Sequence, residues 1–248
     1  MRYYKQILIT LTAGAFLFLQ CSPVYQSSRL QYAGYPISGE RIDTSMYNWL
    51  RPYSDSLAKS MNTYIATLAQ DLEKQQPEGT LGNLMADALL AMAEQQYGRR
   101  PDAAFMNNGG IRLPVLKAGP VTRGKVYELF PFDNILVLVE IKGTVLQQFL
   151  DHIAGRGGWP VAGMTMNIRK GRAVDVRIGG RELDPTATYT IAMGDYTANG
   201  GDDAAMLVGL PQQNNGYLMR DAILAYMRGL AAAGSIRMQL EKRVQYVD

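Results

Sequence analysis

The sequence predicts a single α+β domain in which helices and strands mix along the chain. Three observations predict it. Apolar residues at helical spacing around Leu81–Met92, Val145–Ile153 and Leu218–Leu230 alternate with apolar, strand-like runs over 103–106, 135–141 and 188–193. A hairpin pattern, 164–169 and 173–178 about Lys170-Gly171-Arg172, shows that strands are joined by turns as well as by crossovers. The 248 residues suffice for one good-sized core, or one domain with a tail.

Composition is that of an ordinary globular protein. The net charge is +3, and it falls to +1 without Arg2 and Lys5. No basic stripe interleaved with aromatics appears, so no nucleic-acid partner is expected. The start of the chain is more informative. Arg2 and Lys5 precede an apolar run, Ile7 to Leu19, too short to span a bilayer comfortably but right for a signal peptide. Cys21, the only cysteine, follows directly and resembles the acylated cysteine of bacterial lipoproteins. Gln20 departs from the small residue usual before that cysteine, and a plain signal peptide with an incidental Cys21 is the alternative. Either way the expectation is export: leader over 1–20, Cys21 as first mature residue and lipid attachment point, periplasmic side of the envelope, membrane contact through the lipid.

Residues 21–50 are polar, hold Pro23, Gly34, Pro36 and Gly39, and read as a tether or arm before a folded domain over 51–248. Ser54-Asp55 is a plausible N-cap, and Leu57, Met61, Ile65, Leu68 and Leu72 predict a helix running to Gln75. A second helix starts near Thr80, with Leu81, Leu84, Met85, Ala88, Leu89 and Met92 on one face and Gly98 as its stop. Residues 103–106 read as a buried strand. Thr122 caps a short helix broken at Pro131, and 135–141 is a buried strand. A helix through 145–153, the hairpin, a strand over 188–193, a helix through 218–230 and one or two strands within 236–247 complete the chain.

Chemistry concentrates in turns next to these strands. In Asn107-Asn108-Gly109-Gly110-Ile111-Arg112 two glycines permit positive φ and close approach of the backbone to a bound group. The carboxamides and the guanidinium bring donors and acceptors to one point, and arginine forks onto carboxylate or phosphate. Alone, the hexapeptide is as well read as a simple turn. It does not stand alone. Leu81-Gly82-Asn83-Leu84 with Asp87-Ala88, the glycine turn, Pro131-Phe132-Asp133-Asn134, and Tyr196 four residues before Gly200-Gly201-Asp202 together resemble the C-terminal domain of the 5′-nucleotidase family. The likeness covers roughly 51–248.

That resemblance implies a layered α/β/β/α fold that holds the nucleoside part of a substrate. Phe132 and Tyr196 match the two rings that sandwich the base, and Asp202 matches the aspartate that accepts the ribose hydroxyls. Asn107 and Arg112 match residues at the base edge or phosphate side, and Asn134 a polar position beside the base. Gly109, Gly110, Gly200 and Gly201 shape the turns. Simpler readings stay open: Phe132 as core, residues 200–202 as a turn only.

Departures matter as much. The family's enzymes carry an N-terminal metallophosphoesterase domain whose two metals activate water and clamp the phosphoryl group. Here a leader and a tether precede the domain, and the one histidine, His152, reads as a surface or capping residue. No catalytic residue, metal site or cofactor is therefore expected on this chain, and divalent metals only on a separate metallophosphoesterase partner. Pro77 stands before Glu78 where the family often has arginine; Lys74 is the candidate to reach the same space. The leading expectation is an exported nucleoside- or nucleotide-binding module. The alternatives are a subunit of a two-chain 5′-nucleotidase or phosphoesterase, and a structural envelope protein with a vestigial pocket.

Overall fold

The computed structural model describes residues 43–248; the leader, Cys21 and most of the tether lie outside the described residues. The first elements are α1 (Thr44–Met61), β1 (Tyr64–Leu68), β2 (Leu72–Glu73), α2 (Thr80–Tyr97) and β3 (Ala103–Phe105). Next come β4 (Val115–Leu116), β5 (Gly119–Thr122), α3 (Arg123–Leu129), β6 (Leu136–Lys142) and α4 (Gly143–Gly155). Four strands follow: β7 (Val161–Ala162), β8 (Met164–Arg169), β9 (Arg172–Ile178) and β10 (Arg181–Glu182). The chain ends with β11 (Thr188–Gly194), α5 (Asp195–Ala198), β12 (Gln212–Gln213), α6 (Met219–Ala231) and β13 (Val244–Tyr246). Asn48–Asp248 forms one compact unit.

A five-stranded sheet in the order β12-β6-β11-β3-β7 lies at the centre. β3 and β11 are parallel, with Ala103 opposite Ile191, and the other pairs are antiparallel. Because side chains alternate along a strand, this sheet feeds two cores. Ala104, Leu136, Leu138 and Ala192 pack with Leu84 and Leu89 of α2 and Ile223 and Met227 of α6. Ala103, Phe105, Val137, Val139 and Ile191 face the other way, onto Phe149 and Ile153 of α4. Met166 and Val176 join that second core from a four-stranded sheet in the order β10-β9-β8-β13. Mixed α+β architecture, with the hairpin and the helices expected near 81–92, 145–153 and 218–230 in place, is thus what the chain adopts.

Local signals explain the well-read elements. α2 stops where Gly98 turns left-handed, φ 67°, and donates its N–H to Glu94 O. Thr122 Oγ1 accepts from the Lys125 N–H and starts α3.

The helix expected over 54–75 is corrected. α1 begins earlier, capped by Asp43, whose Oδ1 accepts from the Ser45 and Met46 N–H groups, and it ends at Met61. Ser54 instead donates to Arg51 O within the helix, and Pro52 lies inside it. Ile65, Leu68 and Leu72 continue the apolar spacing but belong to β1 and β2. Thr63, Ile65 and Thr67 are β-branched, and the backbone here pairs with β5, Ala66 opposite Val121. Burial separates the two halves: Leu57 is 57% exposed, Leu72 fully buried. The tether expected to reach residue 50 is likewise helical from Thr44. In 236–247 only Val244–Tyr246 is a strand, parallel to β8, while Ile236 makes a single bridge to Leu68.

The Leu81–Ala88 stretch is architecture. A Cβ at Gly82 would lie 2.6 Å from Pro160 Cγ, so glycine lets α2 close onto β7's approach. Asn83 Nδ2 donates to Glu78 Oε1 at 2.7 Å and to Gln239 O at 3.1 Å. Glu78 accepts the Glu241 and Arg243 N–H groups, and the buried Arg243 guanidinium forks onto Asp87 at 2.6 and 2.9 Å. These bonds hold the C-terminal segment against α2. Arg243→Ala leaves a carboxylate in a largely buried site without its partner and is expected to lower unfolding free energy by about 3 kcal/mol in chemical denaturation. By the same measurement Leu72→Ala is expected to cost about 2–5 kcal/mol and Leu57→Ala within about 0.5 kcal/mol of nothing.

Candidate functional site

Sheet topology brings three distant loops to one edge. The turn after β3 and the loop after β11 leave parallel strands at the same end, and the 130–134 loop enters β6, antiparallel beside β11, at that end too. Asp195 sews the junction. Its N–H donates to Ile135 O at 2.8 Å, and its Oδ1 accepts from the Ile135 and Tyr196 N–H groups at 2.9 and 2.8 Å.

The loops enclose a pocket of about 280 Å³, lined by Asn107, Gly109, Gly110, Arg112, Phe132, Asn134, Tyr196 and Asp202. The volume falls just under the range of small-molecule sites, which run from about 300 Å³ upward. Every base, sugar and turn candidate read from the sequence is in that lining except Gly200 and Gly201, which sit behind it; Cys21 lies outside the described residues. Phe132 packs partly on the core, edge-on to Phe130 at 5.5 Å, and still presents itself to the pocket. Tyr196 is 48% exposed.

The glycine turn works differently from its sequence reading. Residues 108–110 form one 3₁₀ turn after an extended Asn107, and neither Gly109 nor Gly110 has positive φ. Gly110 is needed for space: a Cβ there would meet Asn107 Oδ1 at 2.6 Å and Phe130 at 3.0 Å. A Cβ on Gly109 would meet nothing, so its bareness only widens the pocket. Asn107, 8% exposed, donates through Nδ2 to Asp202 Oδ2 at 3.0 Å and so links two of the loops.

The Gly200–Asp203 loop does demand unusual backbone. Gly200 has φ 94°, and Asp202 and Asp203 are left-handed at 54° and 60°. Such a conformation costs an L-residue about 1–2 kcal/mol, less for Asp than for most. A Cβ at Gly201 would fall 2.5 Å from the Tyr196 ring, so the loop rides on that ring. The Tyr196 hydroxyl accepts the Asp202 N–H at 3.2 Å and donates to Asp202 Oδ1 at 3.4 Å. Each Asp202 oxygen thus has one protein donor and keeps lone pairs for hydroxyls of a ligand.

Two cations gather at the glycine turn. Arg112 lies over the Phe132 ring, 5.4 Å from its centroid, and donates to Gly109 O at 3.3 Å. Lys74 does reach this turn, its Nζ donating to Ile111 O at 2.9 Å. Burial holds its pKa below the ordinary lysine value, and the Arg112 charge lowers it further. Pro77 packs instead toward Gly158.

Among the described residues no three His, Cys, Asp or Glu side chains come together to hold a metal. The pocket's own set is one carboxylate, two carboxamides and a guanidinium. Divalent cations take sets richer in carboxylate or imidazole, so the residues of this pocket do not fit the metal pair of phosphoesterases. A larger cavity, about 610 Å³, opens at the other end of β3 and β11. Its charged walls are largely spoken for: Glu182 pairs with Arg177, and Asp102 accepts the Thr190 N–H. The smaller pocket is the candidate site, because rings and unspent polar groups converge there.

Three residues that hold the site were not singled out for it in the sequence. Asp195 is the junction described above. Arg220 of α6, 7% exposed, stacks on Tyr127 at 4.1 Å, donates to Phe132 O at 3.0 Å and pairs with Asp133, and so anchors the Phe132 loop. His152 of α4 donates from Nε2 to Asp202 O at 2.9 Å. Only Asp195, an acid opening a short helix directly after a strand, carried a local signal.

This α+β unit, with its pocket at one sheet edge, falls into a known class. The family profile described as 5′-nucleotidase, C-terminal domain, matches residues 57–209, and the chain belongs to that family. A 5′-nucleotidase of Vibrio vulnificus is 29% identical over 191 residues, which cover 75% of this chain and 34% of that protein. Endonuclease YhcR of Bacillus subtilis is 32% identical over 181 residues, 69% of this chain and 14% of that protein. The crystal structure of a 5′-nucleotidase precursor from Thermus thermophilus aligns with a TM-score of 0.71 at 28% identity, covering 83% of this chain and 44% of that one. The chain therefore spans less than half the length of these relatives.

Gly201→Ala forces its methyl into the Tyr196 ring and is expected to swing that ring out of the pocket and lower stability by about 1–3 kcal/mol. A crystal structure of the variant, with thermal unfolding, checks both.

Proposed function

We propose that this chain is an exported nucleoside- or nucleotide-binding module, the substrate-holding part of a 5′-nucleotidase. The observation that carries this reading is the convergence of Phe132, Tyr196, Asn107, Asn134, Arg112 and Asp202 on one pocket from three loops. The rings offer π-faces to a purine, Asp202 accepts ribose hydroxyls, and Asn134 and Asn107 face the base edge and sugar. Export with Cys21 as lipid anchor is part of the proposal, supported by the leader pattern and by a structural neighbour that is a 5′-nucleotidase precursor.

Lys74 and Arg112 favour a phosphate on the ligand. Two cations side by side, each bonded only to backbone carbonyls among the described residues, are relieved by an anion between them. A second reading makes this chain one subunit of a two-chain 5′-nucleotidase or phosphoesterase. A separate metallophosphoesterase docking here supplies the metals, and the pair hydrolyses nucleotides.

The test is calorimetric titration of the purified chain with purine nucleosides and their 5′-monophosphates, plus a phosphate-release assay with divalent metal. Binding without release is expected, and release appears only once the partner is added. Phe132→Ala and Tyr196→Ala are each expected to weaken binding by about 1–3 kcal/mol. No binding by the unaltered chain sinks the proposal.

Protonation of Lys74 supplies a pH signature. An anion prefers the ammonium form, so the advantage of monophosphate over nucleoside is present at low pH and lost as pH rises through the lowered Lys74 value. That loss is expected below about 10.4, where ordinary lysines discharge, and to vanish in Lys74→Met; titration from pH 7 upward reads it.

A further inference from the structure

Two side chains one turn apart at the end of α4 reach the same loop. His152 Nε2 lies 2.9 Å from the Asp202 carbonyl oxygen, and Arg156 pairs with the Asp203 carboxylate. The i, i+4 spacing puts both on one helix face. They grip two consecutive left-handed residues, φ 54° and 60°, neither of them glycine. The helix end is itself braced, since Gln76 Nε2 donates to Arg156 O at 2.8 Å and Gly158 O at 2.7 Å.

Asp202 is thereby held at every polar atom. Tyr196 takes its N–H, Asn107 and Tyr196 take its carboxylate, and His152 takes its carbonyl. A carbonyl only accepts, so Nε2 carries the hydrogen. Fixing the carbonyl and the N–H together fixes φ and ψ, and these set the direction of the Cα–Cβ bond. The carboxylate then points into the pocket rather than following the loop.

We propose that His152 is a positioning residue for sugar recognition, locking Asp202 in the one backbone conformation that aims its carboxylate at the ribose hydroxyls. The inference rests on the reading of Asp202 as the ribose acceptor. Its role differs from that of the rings: His152 touches no ligand and acts through one carbonyl.

The experiment is calorimetric titration of adenosine, guanosine and their free bases into the full chain and into His152→Ala, His152→Leu and His152→Gln. Gln keeps a donor near the Nε2 position, whereas Leu fills the space without one. Ala and Leu are expected to bind the nucleosides about tenfold more weakly, the worth of roughly one hydrogen bond, and Gln to recover most of that loss. Affinity for the free bases is expected within about twofold of the unaltered chain in all three. Nucleoside affinity unchanged in Ala and Leu overturns the proposal. Equal losses for base and nucleoside overturn it too, because they mark a general collapse of the pocket. An unaltered chain that binds none of the four ligands overturns the nucleoside reading itself, and this inference with it.

Discussion

The parallel pairing of β3 with β11, with β6 antiparallel on the far side of β11, is the constraint on which the site depends. Parallel neighbours end at the same edge of a sheet, and an antiparallel neighbour begins there. Asn107, Phe132 and Tyr196, separated along the chain by whole helices, are thus delivered to one rim. Asp195 makes the arrangement firm, since one carboxylate oxygen takes both the Ile135 N–H, just before β6, and the Tyr196 N–H, just after Asp195 itself. Ligand sites at the ends of strands where connections diverge are a general outcome of such sheets.

On that frame the pocket is built from rigid supports and one strained loop. Arg220, buried beneath the Phe132 loop, and Gly110, which leaves room for the Asn107 amide, need no unusual backbone. The Asp202 loop does: two left-handed aspartates and a glycine pressed to a tyrosine ring are unfavourable locally. Contacts from Tyr196, Asn107, His152 and Arg156 offset that strain. Strain of this kind persists only where surroundings over-determine it, and it collects where a group must be aimed. The pocket lining joins one carboxylate, Asp202, with one guanidinium, Arg112, whose neighbour Lys74 adds a second positive charge behind the glycine turn.

Much of the secondary structure was legible because its signals are local. α2 carries its own stop at Gly98, α3 its own cap at Thr122, and β8 and β9 their own turn at Lys170-Gly171. The stretch from Leu57 to Leu72 misled because helical spacing continued by coincidence across a helix, a strand and a second strand. What distinguishes them is partnership: β1 exists because β5 lies beside it, and β5 itself contains Gly119 and Pro120, residue types depleted in strands. The pocket residues were legible through four motif stretches in register, yet the first of those, Leu81 to Ala88, turned out to clamp the C-terminal segment.

The sequence by itself determined the class of fold, the stop of α2 at Gly98, the cap of α3 at Thr122, and the side chains that meet in the pocket, because residue type and spacing act over a turn or two of chain. Tertiary structure alone decided which glycines serve conformation and which serve space, that Lys74 reaches the turn beside Arg112, and that a lone histidine holds Asp202. Those outcomes depend on atoms brought together from 37 and 50 residues apart. No local pattern encodes such a meeting; only the pairing of strands across the sheet does.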